Sequence, residues 1–189
     1  MTRSILIVGV GGQGTLLASR LLGRSLLAKG HDVKISEVHG MSQRGGSVVT
    51  YVRYGDVVAS PIVEKGEADI ILSFEELEAA SWLPFLKKGG KIVVNTQQMD
   101  PMPVIIGAAE YPEDVLGQIE AKGADVQRVD ALSLTLEAGT PKAVNVALLG
   151  AVARNTDIEK SIWEDTIRET VPERFLEQNL KAFDLGYNA

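Results

Sequence analysis

The chain alternates short apolar runs with amphipathic segments, which is typical of an α/β protein. The run "SILIV" at residues 4–8 ends at Gly9, and a continuous apolar run of this length predicts a strand buried on both faces. Leucines then recur at helical spacing over 14–29, which predicts a first helix that ends near Gly30. Further strands are predicted at 32–38, 47–55, 68–74, 90–95 and 124–131.

Further helices are predicted along the rest of the chain. A helical segment at 75–90 is interrupted by a proline and closed by glycines, and another at 112–123 has proline at its first turn and glycine after its end. Residues 100–112 predict an irregular connection because they contain three prolines. From about residue 142 onward we expect helices, with a break at Pro172.

Together these elements predict one domain spanning 1–189, with an α/β fold. We expect a three-layer α/β/α Rossmann-like arrangement with a mainly parallel sheet and C-terminal helices. The Tyr54–Gly55–Asp56 turn is typical of a hairpin that leads into a short strand at 57–60. Such a hairpin would make the sheet mixed rather than purely parallel.

Composition and charge narrow the class of protein. The formal net charge is −6 at pH 7, which argues against binding to nucleic acid or to a membrane surface, since both favour basic faces. There is no apolar run of about 18 residues, so we expect no membrane-spanning helix. The opening stretch "MTRSILIVGV" predicts a buried first strand rather than a signal peptide, because a glycine-rich turn and an amphipathic helix follow it. We therefore expect a cytoplasmic protein.

The residue inventory excludes several kinds of site. The sequence contains no cysteine, which excludes disulfides, thiol nucleophiles and a self-contained iron–sulfur cluster. Its two histidines, His31 and His39, are too few for a multi-histidine metal site, so no metal site is predicted.

The most familiar motif is the glycine-rich turn after the first strand. Gly9, Gly11 and Gly14 fit the pattern G-x-G-x-x-G, which permits a tight turn and brings free N–H groups at a helix start to an anion. Glu37 stands about 20 residues further on, where a dinucleotide site has an acidic residue for the ribose. However, polar Gln13 stands where the helix should begin. The motif alone therefore leaves two interpretations open, a nucleotide or phosphate site and a tight turn without a ligand.

The loop at 39–46 is the most distinctive stretch of the chain. Gly45 and Gly46 allow backbone conformations that other residues resist. Arg44 offers a planar donor fork for a carboxylate or phosphate, and His39 can donate, accept or carry a proton near neutral pH. The alternative is a solvent-facing loop with a satisfied histidine and a surface arginine.

Four stretches taken together resemble a known family over essentially the whole chain. They are "GVGGQG", "SEVHGMSQRGGSV", "SPIVEKGEADIILSFEELEA" and "NVALLGA". The combination is similar to the gamma-type domain of 2-oxoacid:ferredoxin oxidoreductases. The form "EVHGMSQRGG" favours the indolepyruvate branch, that of the beta subunits of indolepyruvate:ferredoxin oxidoreductases.

This resemblance implies a definite chemistry. Enzymes of the family oxidatively decarboxylate a 2-oxoacid, reduce ferredoxin and form an acyl-CoA, with coenzyme A as co-substrate. It implies that thiamine diphosphate, magnesium and [4Fe-4S] clusters lie in a larger partner subunit, through which ferredoxin is reached. The chain has neither cysteines nor a Gly-Asp-Gly run followed by asparagine, so we expect it to bind no cofactor alone and to be inactive alone. Without its partner, the chain could form a homodimer through the exposed interface.

The resemblance also implies which residues contact the shared active site. Gln13 and the N–H groups of Gly11 and Gly12 are expected to make polar contacts. Arg44 is expected to meet an anion, and His39 and Arg44 are the two candidates for a catalytic role. The full set of candidate contacts is Gly9, Gly11, Gly12, Gln13, Gly14, Ser42, Arg44, Gly45 and Gly46.

Two other functions remain open at this stage. One is a free-standing NAD(P)-dependent oxidoreductase with Glu37 on the ribose, and the other is an assembly module without a catalytic role. The acidic cluster Glu75, Glu76 and Glu78 begins a helix, where carboxylates complement the helix dipole, so we expect it to be structural. Asn145 lies in an apolar helix and needs a hydrogen-bond partner, either as a buried fastener or at the site.

Overall fold

A computed structural model describes residues 2–37 and 45–189. Six strands form one sheet: β1 (Arg3–Val10), β2 (Asp32–Glu37), β3 (Ser47–Gly55), β4 (Ala68–Ser73), β5 (Leu86–Asn95) and β6 (Asp125–Val129). Their order in the sheet is β2-β3-β1-β4-β5-β6. β1, β4, β5 and β6 pair in parallel, whereas β3 runs antiparallel to both β1 and β2. The sheet is therefore mixed.

Helices cover both faces of this sheet. In the described part of the chain they are α1 (Thr15–Ala28), α2 (Glu76–Trp82), α3 (Met102–Ile105), α4 (Val115–Ala121), α5 (Ala131–Glu137), α6 (Val144–Ala153), α7 (Lys160–Thr170) and α8 (Glu173–Asn188). Ile5 and Ile7 of β1 face a core shared with α1, α6 and α8, and Leu6 and Val8 face a second core shared with α2 and α4. This alternation gives the predicted three-layer fold. None of the described helices is long and apolar enough to cross a bilayer.

The predicted short strand at 57–60 is wrong, although the prediction of a mixed sheet is confirmed. β3 pairs with β1 along one edge and with β2 along the other, so no free edge remains for a hairpin partner after Gly55. The chain instead leaves the sheet, and the Val58 N–H donates to the Asp32 carboxylate at 2.8 Å.

The helix observed within the predicted helical segment 75–90 is shorter than that segment. α2 ends at Trp82, a 3₁₀ turn follows at Leu83–Phe85, and β5 begins at Leu86. Gly90 permits this early strand, because a Cβ atom there would lie 2.9 Å from the carbonyl oxygen of Ala68. The connection at 100–112 contains the short helix α3, and α5 was not predicted.

The C-terminal helices follow the prediction, with the break between α7 and α8 at Pro172. α6 is buried from Asn145 to Ala153 and crosses α8 at close range. Gly150 and Gly186 make this crossing possible, because a Cβ atom on Gly186 would lie 1.8 Å from the carbonyl oxygen of Ala147.

Candidate functional site

The glycine-rich turn lies at the carboxyl end of β1 and leads into α1. Gly12 and Gly14 adopt φ values of 101° and 88°, a region that favours glycine. A Cβ atom on Gly9 would lie 2.9 Å from Cβ of Phe74, and one on Gly14 would lie 2.9 Å from Nδ2 of Asn145. Contacts and backbone conformation within the chain therefore require glycine at these three positions.

Gln13 ties this turn to the neighbouring strands. Its Oε1 accepts the Val10 N–H at 2.7 Å, and its Nε2 donates to the Phe74 carbonyl at 3.2 Å. The same Nε2 lies 3.3 Å from Oε1 of Gln97 and 3.3 Å from Sδ of Met99. One side chain thus connects the carboxyl ends of β1, β4 and β5.

A cleft of about 770 Å³ opens beside Gln13, between these strand ends, the start of α5 and the start of α6. The ionisable side chains on its described wall are Asp130 and Lys142. The Asp130 carboxylate accepts from Ser133 Oγ at 2.6 Å and from Ser133 N–H at 3.1 Å, and these bonds lower the pKa of Asp130. The remaining wall is made of Gly11, Gly12, Gln13, Gly14, Phe74, Asn95, Thr96, Gln97, Met99, Leu132, Pro141, Val144 and Asn145.

A smaller cavity of about 300 Å³ lies between the turn and Glu37. In a dinucleotide-binding fold the second strand adjoins the first, but here β3 lies between β1 and β2. Glu37 ends β2, and two strand spacings, about 10 Å, therefore separate β2 from β1. The Gly11 N–H donates to the Gly46 carbonyl at 2.9 Å, and Glu37 accepts from Ser19 Oγ at 2.5 Å. These contacts differ from those of a dinucleotide site.

The structure brings the described candidate residues of the two loops together. Gly45 has a φ of 96°, and Gly46 meets the glycine-rich turn through the bond to Gly11. His39, Ser42 and Arg44 lie outside the described residues.

The acidic cluster at the start of α2 anchors one wall of the cleft. Glu75 is 1% exposed, and its carboxylate accepts from Tyr111 Oη at 2.5 Å, Met99 N–H at 3.1 Å and Glu78 N–H at 2.8 Å. Burial, and after it the hydrogen bond to Glu75, raises the pKa of Tyr111. Glu75 therefore caps α2 and holds Met99 at the cleft, which agrees with the structural role expected of the cluster.

Three polar residues of the cleft were not predicted from the sequence: Asn95, Gln97 and Lys142. Asn95 ends β5 and Gln97 follows it, so the available signal was a polar stretch directly after a buried strand. The partner expected for Asn145 is the Gly14 carbonyl, to which its Nδ2 donates at 3.3 Å. Asn145 therefore fastens α6 to the turn and also lines the cleft.

Comparison with known proteins adds relatives along the whole chain. The family model described as pyruvate ferredoxin/flavodoxin oxidoreductase matches residues 4–189. The "Indolepyruvate oxidoreductase subunit IorB" of Pyrococcus horikoshii is 43% identical over 98% of this chain and 95% of its own length. That of Thermococcus kodakarensis is also 43% identical, with the same coverage of both chains. The "Pyruvate/ketoisovalerate oxidoreductases common subunit gamma" of T. kodakarensis is 28% identical over 95% of this chain and 92% of its own length.

Solved structures share the fold. The gamma subunit of the keto/oxoacid ferredoxin oxidoreductase of Geobacter sulfurreducens has a TM-score of 0.73 and 23% identity, and the match covers 98% of this chain and 96% of that one. The 2-oxoglutarate:ferredoxin oxidoreductase of Magnetococcus marinus has a TM-score of 0.74 and 19% identity, with 99% of this chain covering 30% of that one. The full-length family match and the relatives at 43% identity lead to one conclusion: this chain belongs to the pyruvate ferredoxin/flavodoxin oxidoreductase family.

Proposed function

We propose that the chain is a subunit of a heteromeric, thiamine diphosphate-dependent 2-oxoacid:ferredoxin oxidoreductase that acts on indolepyruvate or another aryl pyruvate. The proposed substrate is supported by a difference in sequence identity between two groups of relatives. Relatives named for indolepyruvate are 35–43% identical, whereas those named for pyruvate and ketoisovalerate are 28% identical. The reaction would convert the 2-oxoacid and coenzyme A to carbon dioxide and an acyl-CoA, with two electrons passed to ferredoxin.

In this proposal the partner subunit holds the cofactors. The chain has no cysteine to ligate an iron–sulfur cluster. Its cleft offers side-chain amides, backbone groups, one lysine and one aspartate, whose two oxygens accept from Ser133. When bound in the partner, thiamine diphosphate would supply the carbanion chemistry of decarboxylation. This chain's own residues would bind and orient the reactants at the shared site, with Gln13 holding the glycine-rich turn in shape.

The proposal assigns anion contacts to both loops. The N–H group of Gly12 and the side chain of Arg44 are the proposed contacts, with Ser42 and His39 beside Arg44 in the sequence. The N–H group of Gly11 joins the two loops instead, since it donates to the Gly46 carbonyl. Because backbone amides and a guanidinium both favour anions, a carboxylate or phosphate is the proposed ligand group.

The test uses the chain purified together with the larger partner subunit that the proposal requires. Turnover is measured with indolepyruvate, phenylpyruvate, pyruvate and 2-oxoglutarate, with coenzyme A and ferredoxin present. We expect kcat/KM for the aryl pyruvates to exceed that for pyruvate by about ten-fold or more, and no turnover by the isolated chain. A preference for pyruvate would overturn the proposed substrate, and turnover by the isolated chain would overturn the shared site.

A substitution tests the loop. Arg44→Ala is expected to lower turnover of the assembled complex without changing its assembly. Arg24→Ala is the matched control, since the contact it removes within the described residues is a surface hydrogen bond to Thr170 at 2.8 Å. If Arg44→Ala impairs association alone, the loop serves assembly. Micromolar binding of NADH to the isolated chain in calorimetry would favour a free-standing oxidoreductase instead.

A further inference from the structure

Four side-chain amides line the cleft, and those of Gln13, Asn95 and Gln97 form one hydrogen-bond network. The oxygen and nitrogen ends of such a group are assigned from its hydrogen-bond partners. Two partners here are backbone N–H groups, which can only donate. The Val10 N–H therefore fixes Oε1 of Gln13 at 2.7 Å, and the Ala131 N–H fixes Oδ1 of Asn95 at 3.3 Å.

These two assignments determine the orientation of the third amide, that of Gln97. The NH₂ groups of Gln13 and Asn95 each lie 3.2 Å from the Phe74 carbonyl oxygen and 3.3 Å from one end of Gln97. Because both groups donate, that end of Gln97 must be its oxygen. Its Nε2 is consequently turned away from the network and has no hydrogen-bond partner in the described chain. Gln97 is exposed at the cleft, so it offers two N–H donors to whatever enters.

Lys142, which also lines the cleft, supplies a second donor. Its backbone N–H bonds to Thr140 Oγ1 at 3.3 Å, but no carboxylate within residues 2–37 and 45–189 pairs with its ammonium group. Asp130 is the acidic residue of the described wall, and both of its oxygens are engaged by Ser133. The cleft therefore presents a neutral donor and a cation that the described chain leaves without a counter-group.

We propose that Gln97 and Lys142 bind an anionic oxygen group of the ligand that occupies this cleft. Gln97 donates its amide hydrogens to the oxygen, and Lys142 balances its charge. The inference rests on the proposed function, which offers two sources of such an oxygen: the carboxylate of the 2-oxoacid and the phosphates of coenzyme A. Both residues act in binding and take no part in bond making or breaking.

Gln97→Glu tests the proposal with almost no change of shape. One carboxylate oxygen can still accept from Gln13 and Asn95, whereas the donors are replaced by a charged acceptor. In the assembled complex we expect the KM of the bound reactant to rise about ten-fold or more, with kcat changed less than about three-fold. Lys142→Met should raise the KM of the same reactant. Gln118→Glu adds the same charge at an exposed residue of α4, and should change neither KM.

The outcomes distinguish the 2-oxoacid carboxylate from the coenzyme A phosphates as the bound group. They also distinguish a failure of this inference from a failure of the proposed function. A rise in the KM of the 2-oxoacid alone assigns the site to the carboxylate, and a rise in that of coenzyme A alone assigns it to phosphate. If both KM values of Gln97→Glu stay within about two-fold of the wild-type values, the inference fails while the proposed function stands. If the wild-type complex turns over no 2-oxoacid, the proposed function fails.

A direct measurement on the wild-type chain tests the inference even if Gln97→Glu does not fold. The side-chain amide resonances of Gln97 are followed by NMR in the wild-type chain, both alone and assembled with its partner, during titration with phenylpyruvate and with inorganic pyrophosphate. A saturable shift with one of these probes is expected. If neither probe shifts the resonances, Gln97 does not bind an anionic oxygen.

Discussion

The crossing of α6 and α8 gives the sharpest prediction about stability. A Cβ atom on Gly150 would lie 2.2 Å from the carbonyl oxygen of Phe183 and 2.7 Å from the backbone nitrogen of Tyr187. Both neighbours are backbone atoms of α8, so they can move only if the whole helix moves. We therefore expect Gly150→Ala to destabilise the fold, although alanine favours a helix more than glycine does.

The magnitude follows from two opposing effects. The gain in helix propensity is about 1 kcal/mol, and overpacking a core costs about 1–3 kcal/mol, or more where backbone must shift. Because α6 is buried from Asn145 to Ala153, the larger cost applies here. We expect a net loss of about 2 kcal/mol or more in the free energy of unfolding, which lowers the Tm of a chain of this size by about 4–8 °C.

Gly23→Ala is the matched control. Gly23 is also within a helix, but the nearest atom to its added Cβ would be Cδ1 of Ile35 at 2.6 Å, the end of a flexible side chain that is 39% exposed. That methyl group can rotate away, so this variant is expected to be as stable as the wild-type chain or up to about 1 kcal/mol more stable.

Urea unfolding followed by tryptophan fluorescence measures both variants, because Trp163 is 1% exposed and stacks on Phe183 of α8. The reasoning is refuted if Gly150→Ala is as stable as the wild-type chain, or if Gly23→Ala loses as much as Gly150→Ala. Adding Gly186→Ala should cost less than the sum of the two single changes, because one displacement of α8 relieves both clashes.

Two further predictions concern the acidic cluster of α2. Tyr111→Phe removes one of three donors to buried Glu75 and should lower the free energy of unfolding in urea by about 1.5–3 kcal/mol. Tyr51→Phe is the control, because the Tyr51 hydroxyl makes no hydrogen bond in the described chain. It should lower the free energy of unfolding by less than about 0.5 kcal/mol. Burial, and after it the charge of Glu75, raises the pKa of Glu78, although the hydrogen bond from Ser47 lowers it. A raised pKa means that the folded state binds the proton more tightly than the unfolded chain, so stability is lost as the pH rises through that pKa. Glu78→Gln should therefore be more stable than the wild-type chain at pH 7, with an advantage that shrinks towards about pH 4; an advantage independent of pH would contradict this.

Local patterns predicted the elements whose formation depends on local sequence. The run at 4–8 and the leucines of 14–29 specify β1 and α1, because hydrophobic period alone distinguishes a buried strand from an amphipathic helix. The position of β3 was not predictable in this way, since its pairing with β1 joins residues about 40 positions apart, as in Val8 with Val49. The strand segment Leu86–Gly89 was missed for the same reason, because its neighbour Ala68 lies on another strand.

The candidate site likewise has one part that local sequence predicts and another that depends on the folded chain. The glycine-rich turn was predictable because three glycines at fixed spacing after a strand indicate a tight connection into a helix. The amides of Asn95 and Gln97 carry no such spacing, and their role depends on Gln13, which is more than 80 residues away in the chain. Sequence alone gives the carboxyl end of β5 as a place for polar groups, but the direction of each amide depends on hydrogen bonds that only the folded chain forms.

The two interpretations of the glycine-rich turn differ in what requires its glycines. In a dinucleotide site the second glycine makes room for a diphosphate. Here Gly9 and Gly14 are required by contacts with Phe74 and Asn145, and the N–H of Gly11 is taken by the Gly46 carbonyl. Contacts within the chain therefore account for the first and third glycines of the pattern G-x-G-x-x-G without a ligand, and the N–H of the second is engaged by the Gly46 carbonyl. The case for a ligand depends on the cleft beyond the turn, where donors remain without partners in the described chain.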